Sequence, residues 1–228
     1  KFTLKRMSRN REKFLAPSIL AGNHANLMDA LLIAENDGRK WIHLDIMDGH
    51  FVPNLSFGPQ TVADLRKKSK LFFDVHLMLD QPDKYIDAFI DAGSDLISIH
   101  LEPQYDHLGS LGKIRAAGVK TGLVINPDTS IDVLLPFLNQ VDLILFMTVF
   151  PGFGGQKFIS DVLKKAQEIS AIRSESNLNF LIEVDGGVGP EHVTPCLEAG
   201  VDIFVAGTAY YSKDEAGRKD FANSIELS

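Results

Sequence analysis

The stretch CLEAGVDIFVAG, residues 196–207, runs from an apolar helix end through one glycine directly into a β-rich segment. Glycine just past a helix takes the left-handed stop, and the next strand begins within about two residues. The same phrase recurs as FIDAGSDLISIH (89–100), IRAAGVKTGLVI (114–125) and, more loosely, IAENDGRKWIHLD (33–45). Extended along the chain, it predicts strands near 14–20, 41–48, 71–79, 96–102, 120–126, 143–149, 180–185 and 203–207. Helical patterns near 25–37, 60–69, 82–92, 108–117, 130–139, 160–174, 190–199 and 214–226 fill the gaps. Pro195, inside the seventh of these, predicts a late helix start there with Thr194 as N-cap. Eight strand-then-helix units without a Ser/Gly/Pro-rich linker predict a single α/β domain over residues 14–228, the (β/α)₈ TIM barrel. A doubly wound open sheet is the alternative, but eight regular units leave little for its edges.

The 228 residues suit one such barrel and are ample for a core. Hydrophobic content of 45% and charged content of 23% are ordinary for a soluble globular protein. The single cysteine, Cys196, excludes an internal disulfide and suits a reducing compartment. No apolar stretch approaches the ~20 residues of a membrane span, and no secretory h-region is present. A cytoplasmic protein with no membrane partner is the expectation. Net charge is −7, unevenly spread. Residues 1–13, KFTLKRMSRNREK, hold six of the 23 basic and one of the 30 acidic residues, leaving 17 and 29, a net of −12. Such a body repels phosphates at long range, which argues against nucleic acid as partner. The basic arm at 1–13 reads as a flexible end, with a targeting remnant, a nucleic-acid arm or a cloning scar as alternatives and Met7 as a candidate start.

In this fold the chemistry sits at the C-terminal strand ends and the loops that follow. HLDIMDGHFVPN (43–54) ends the second strand with ionisable residues where a buried strand should be apolar. Strand side chains alternate faces, so His43, Asp45 and Met47 share one face, as do His76 and Met78 in FFDVHLML. In LIEVDGG, Asp185 is the last side chain before two glycines. Any one of these alone reads as a packed or capping residue. Two imidazoles and two carboxylates from three strand ends together form an N₂O₂ set for Zn²⁺, Fe²⁺, Co²⁺ or Mn²⁺. A second signal is the glycine content of VFPGFGGQ (149–156), DGGVGP (185–190) and AGT (206–208). Gly154, Gly155, Gly186, Gly187 and Gly207 can bring bare amides against a phosphate. No Lys or Arg lies between Glu183 and Ser212, so backbone N–H groups must do the holding.

At these residues the chain resembles the ribulose-phosphate 3-epimerase family. The resemblance runs through PSIL (17–20), WIHLDIMDGHFVPN (41–54), DVHLML (74–79), LISIHLE (96–102), GLVINP (122–127), MTVFPGFGGQKF (147–158), EVDGG (183–187) and VAGTA (205–209). It implies one divalent metal held by His43, Asp45, His76 and Asp185, with Asp45 and Asp185 also the acid/base pair. It implies that Ser18 and His76 hydrogen-bond the sugar. Gly152, Phe153, Gly154, Gly155, Gly186, Gly187, Gly207 and Thr208 correspond to phosphate and lid segments. Met47, Met78 and Met147 correspond to a collar around the reacting carbons, although ordinary barrel core would account for them equally well. The implied substrate is a phosphorylated ketose, the implied assembly a homo-oligomer, and the implied reaction the interconversion of D-ribulose 5-phosphate and D-xylulose 5-phosphate in the pentose phosphate pathway. Inversion at C3 through a cis-enediolate needs carboxylates on opposite faces, since a single base would return the proton to the face it left. The chain departs from the family pattern at AGN after PSIL, at GRK (38–40) and at AGT in place of AGS. These leave sugar length open, because epimerases of allulose 6-phosphate share the motifs. A non-catalytic phosphate-binding barrel is the third reading.

Overall fold

Runs of β-branched and large apolar residues bounded by turn residues build eight strands. In the computed structural model, which describes residues 11–228, they are β1 (Phe14–Pro17), β2 (Trp41–Met47), β3 (Phe72–Met78), β4 (Leu96–His100), β5 (Lys120–Ile125), β6 (Leu143–Met147), β7 (Leu181–Asp185) and β8 (Ile203–Ala206). Each lies within a strand expected from sequence. All pair in parallel in the order β1-β8-β7-β6-β5-β4-β3-β2, and a bridge between Ser18 and His43 joins the two ends into a barrel. Around it lie α1 (Leu27–Asn36), α2 (Pro59–Arg66), α3 (Ile86–Asp91), α4 (His107–Ala116), α5 (Val162–Glu175), α6 (Val193–Glu198), α7 (Thr208–Tyr211) and α8 (Glu215–Glu226). Gly93 and Gly200, at φ 92° and 84°, make the left-handed stops that the repeated phrase requires. No helix among the described residues is long and apolar enough to cross a membrane.

Two local expectations are corrected. The pattern at 130–139 forms two 3₁₀ turns, Ile131–Val133 and Leu135–Phe137, rather than an α-helix. Pro136 has no N–H to donate and its ring opposes the carbonyl four residues back. In the seventh unit, a 3₁₀ turn at Pro190–His192 leads into α6, which begins at Val193 with His192 as N-cap. Thr194 is therefore inside the helix. Pro195 falls in the first turn, where backbone N–H groups lack intrahelical partners anyway.

Alternation along the strands divides the core in two. On β2, Ile42, Leu44 and Ile46 face the helices and pack in one cluster with Phe73, Val75 and Leu77 of β3. Each such side chain contributes about 1.5–3 kcal/mol relative to exposure. Inside the barrel, Trp41, Leu96, Leu143 and Ile203, with Phe14 and Phe72, close the N-terminal end. The basic arm's first ten residues lie outside the described part. At the barrel base, Arg11 donates to Asn179 Oδ1 (3.1 Å), and Lys13 donates to Val201 O (2.9 Å) and Asp202 Oδ1 (2.8 Å). Above the apolar plug the interior turns polar. His43, Asp74 and Glu183 form one layer, and Asp45, His76 and Asp185 the next toward the C-terminal end.

Candidate metal centre and active site

The parallel register sets Asp45 of β2 opposite His76 of β3, and Met147 of β6 opposite Asp185 of β7. Four side chains expected from sequence thereby converge. His43 Nε2 lies 3.4 Å from Asp45 Oδ1 and 3.9 Å from Asp185 Oδ2. His76 Nδ1 lies 3.3 Å and 3.7 Å from the same two oxygens. Both imidazoles are fully buried, and neither of these nitrogens has a hydrogen-bond partner. Four donors about 2.1 Å from one ion at tetrahedral angles stand roughly 3.4 Å apart, so the observed spacings fit one divalent ion. Two orphaned buried nitrogens facing two carboxylates are hard to explain otherwise, because an unpaired buried polar atom costs about 1–3 kcal/mol. These residues can hold a metal ion.

The surroundings separate the two carboxylates. Burial opposes ionisation of Asp45, but the neighbouring His43 and His76 outweigh it and hold that carboxyl far below the usual range. Burial and then the charge of Asp45 push Asp185 up to about 7. Among the imidazoles, burial brings His76 down to about 4. Burial also disfavours charge on His43, yet Asp74 and Asp45 beside it raise it well above the ordinary value. Asp74 Oδ2 accepts from His43 Nδ1 at 2.7 Å, which leaves Nε2 facing the centre. Ser18 Oγ donates to Asp45 Oδ2 at 2.5 Å, and Ser56 Oγ braces the strand end by donating to Asp45 O at 2.6 Å.

Above this cluster opens a cavity of about 740 Å³. Its wall includes Ser18, Asp45, Asp185, Met47, Met78, Met147, Gly152, Phe153, Gly154, Gly155, Gly186, Gly187, Gly207 and Thr208, while His43 and His76 lie beneath its floor. All the site residues expected from sequence are thus brought to one place. Glycine is required at the turn after β7. Gly186 and Gly187 have φ of 120° and 65°, and a Cβ on Gly187 would lie 2.6 Å from Gln156 O. The loop after β6 lines the cavity from Pro151 to Gln156, with Phe153 56% exposed. It is tied by Asn54 Nδ2 to Gly152 O (2.7 Å) and by Gln156 Nε2 to Phe150 O (2.7 Å) and Phe153 O (2.9 Å).

Several participants were not singled out from sequence. Asp74 and Glu183 share the inward faces of His76 and Asp185, so the period of two carries their signal as well. Asn54 and Gln156 stand inside the quoted motifs, but their ties to the loop depend on tertiary contacts. Among the described residues, Lys213 is the one Lys or Arg lining the cavity, just beyond the segment that lacks both.

Comparison with known proteins identifies the family. The description "Ribulose-phosphate 3 epimerase family" matches residues 14–211. A ribulose-phosphate 3-epimerase of Bacillus subtilis is 44% identical over 202 residues, covering 88% of this chain and 93% of that protein. A chloroplastic ribulose-5-phosphate-3-epimerase of Arabidopsis thaliana is 42% identical, covering 93% and 74%. Among solved structures, a mutant tryptophan synthase alpha-subunit from Pyrococcus furiosus superposes with a TM-score of 0.66 at 16% identity, covering 94% and 98% of the two chains, which speaks to the fold alone. With the family's motifs in order along nearly the whole barrel, the chain belongs to the ribulose-phosphate 3-epimerase family of isomerases.

Proposed function

We propose that the protein interconverts D-ribulose 5-phosphate and D-xylulose 5-phosphate by inverting C3, with a divalent ion held by His43, Asp45, His76 and Asp185. The observation that carries this is the pair of orphaned imidazole nitrogens facing two carboxylates whose affinities for protons are driven apart. Divergent proton affinities in one site mark a base and an acid. A divalent ion held by these four residues would supply positive charge that stabilises negative charge developing on the substrate, worth several kcal/mol of barrier. Asp45, ionised, takes the proton from C3 on one face of the sugar. Asp185, the carboxyl with the higher affinity for a proton, serves the opposite face as the acid, and the roles exchange in the reverse direction. Ser18 fixes Asp45 through Oδ2 and lines the cavity beside the sugar, while His76 acts from beneath the floor through the ion. Met47, Met78 and Met147 wall the planar intermediate with polarizable groups that donate no proton. Backbone amides at Gly186, Gly187 and Gly207 and the Thr208 hydroxyl receive the phosphate. Gly152 to Gly155 close over it with Phe153 as the apolar plug, excluding water.

The pentulose is favoured over allulose 6-phosphate because the relatives are named for ribulose phosphate. A cytoplasmic setting, a place in pentose phosphate metabolism and self-association belong to the same proposal. The deciding experiment follows deuterium from heavy water into C3 of ribulose 5-phosphate, with and without chelator, in wild type and Asp185→Asn. Uptake that chelator abolishes, and loss of epimerisation in the variant, are expected. Near-normal turnover by Asp185→Asn overturns the two-carboxylate scheme, and a higher kcat/KM for allulose 6-phosphate overturns the substrate.

A further inference from the structure

A second chain of side chains leads away from the metal centre along β3 and β4. His76 Nε2 lies 2.9 Å from Nε2 of His100, and the two rings stack with centroids 5.1 Å apart. His100 Nδ1 lies 2.9 Å from Glu102 Oε2. The other Glu102 oxygen, Oε1, accepts from the Asn126 backbone N–H (2.7 Å) and from the Thr129 hydroxyl (2.6 Å).

The polarity of this chain follows from the anchored end. An ionised carboxylate only accepts, so the hydrogen between His100 and Glu102 sits on His100 Nδ1. Burial keeps both rings neutral, with His76 and His100 each 0% exposed. A neutral His100 protonated at Nδ1 offers only a lone pair at Nε2. It can therefore accept from His76 Nε2–H but cannot donate to it. With its hydrogen at Nε2, His76 turns a bare Nδ1 toward Asp45 and Asp185. The opposite polarity would point an N–H into the centre. We propose that His100, anchored by Glu102, is the positioning residue that fixes His76 in its ligating tautomer and thereby sets the metal affinity of the site. This rests on the metal-ligand reading above. His43 is oriented differently, by direct contact with the carboxylate of Asp74. The outer partner of a ligating histidine typically accounts for 10–100-fold in metal affinity.

The test strips the protein of metal and titrates it with Co²⁺, followed by visible absorption, alongside the melting temperature of the metal-free protein. His100→Phe keeps the ring's bulk but offers no acceptor, and is expected to weaken Co²⁺ binding about 10–100-fold. His100→Gln is expected to recover most of that loss, since its amide oxygen accepts from His76 while its amide nitrogen donates to Glu102. Unchanged affinity in His100→Phe, or equal loss in the Phe and Gln variants, overturns the proposal. Nitrogen-15 NMR of metal-free wild type reads the tautomer directly, and a proton on His76 Nδ1 overturns it whether or not the variants fold. His76→Ala separates the two levels. If that variant binds Co²⁺ like wild type, the metal-site reading fails and the relay with it. If it loses Co²⁺ while His100→Phe does not, only the relay fails.

Discussion

Ser18 Oγ donates to Asp45 Oδ2 across 2.5 Å, with the two residues 4% and 3% exposed. One Asp45 oxygen is thereby committed to the strand β1 side, and Oδ1 is left facing both imidazoles. Ser18→Ala leaves Oδ2 buried without its donor, at a cost of about 1–3 kcal/mol. Denaturant midpoints of the metal-free variant should fall accordingly, and kcat/KM on ribulose 5-phosphate should drop by at least about tenfold, equivalent to ~1.4 kcal/mol. An unperturbed kcat/KM would show that Asp45 needs no such restraint.

The metal-free protein should lose stability as pH rises above about 6.5. His76 and His100 are held below the ordinary imidazole value by burial, so they penalise the folded state only at pH below about 6.5. His43 is raised above it, and the stability it contributes disappears as pH climbs through its folded value. Asp185, at about 7 when folded, keeps a proton that the unfolded chain has lost, and Glu183 is also raised, so both contribute the same downward slope. Saturating Co²⁺ should flatten the slope, because ligation already requires His43 and Asp185 without their protons. Calorimetry from pH 6.5 to 8.5 reads this, and a melting temperature that climbs over that interval in the stripped protein would contradict the assignment.

Gly187→Ala and Gly154→Ala should behave oppositely. Gly187 has φ 65° and its added Cβ would meet Gln156 O at 2.6 Å and Phe158 N at 2.8 Å, both backbone atoms. The conformation alone costs an alanine roughly 1–2 kcal/mol, and each kcal/mol lowers the melting temperature by about 2–4 °C in a chain of this size. Inhibition by inorganic phosphate should weaken as well, since the turn that presents the amides must shift. Gly154 has open space around its Cβ position, so its alanine variant should melt with wild type. Equal melting temperatures for both variants would refute the crowding argument.

Glu183 should tolerate glutamine but not alanine. It is 0% exposed, neither of its carboxylate oxygens has a hydrogen-bond partner, and Asp74 Oδ1 is likewise unpartnered. Burial, then the charge of Asp74, raise Glu183 well above the usual carboxylate range. A proton on Glu183 supplies the donor this pair lacks. The glutamine amide replaces that donor, whereas alanine leaves a cavity and an unpaired Asp74 oxygen, together costing about 2–5 kcal/mol. Urea unfolding of the two variants distinguishes them, and equal damage would mean that Glu183 is ionised.

The four converging side chains are legible because a period of two places His43 with Asp45 and puts His76 and Asp185 at strand ends. The same period marks Asp74 and Glu183, but spacing does not tell the cavity floor from the layer beneath it. That distinction comes from barrel stagger. His100 and Glu102 are visible as polar strand-end residues, yet their service to His76 depends on how β3 and β4 are offset, with His76 opposite Ser98 rather than His100. The helix expected at 130–139 fails for a local reason, since hydrophobic spacing persists across Pro136 while backbone hydrogen bonding does not.

The bridge from Ser18 to His43 is where the ends of the sheet meet, and both residues belong to the candidate site. On the metal-ligand reading proposed above, loading an ion would double as fastening a hoop at its weakest join. A chain deprived of the ion should breathe there first, before the continuous β3-to-β8 arc loosens. Amide hydrogen exchange at 15–18 and 42–45 should slow disproportionately on ion uptake, making readiness for chemistry and integrity of the enclosure a single equilibrium.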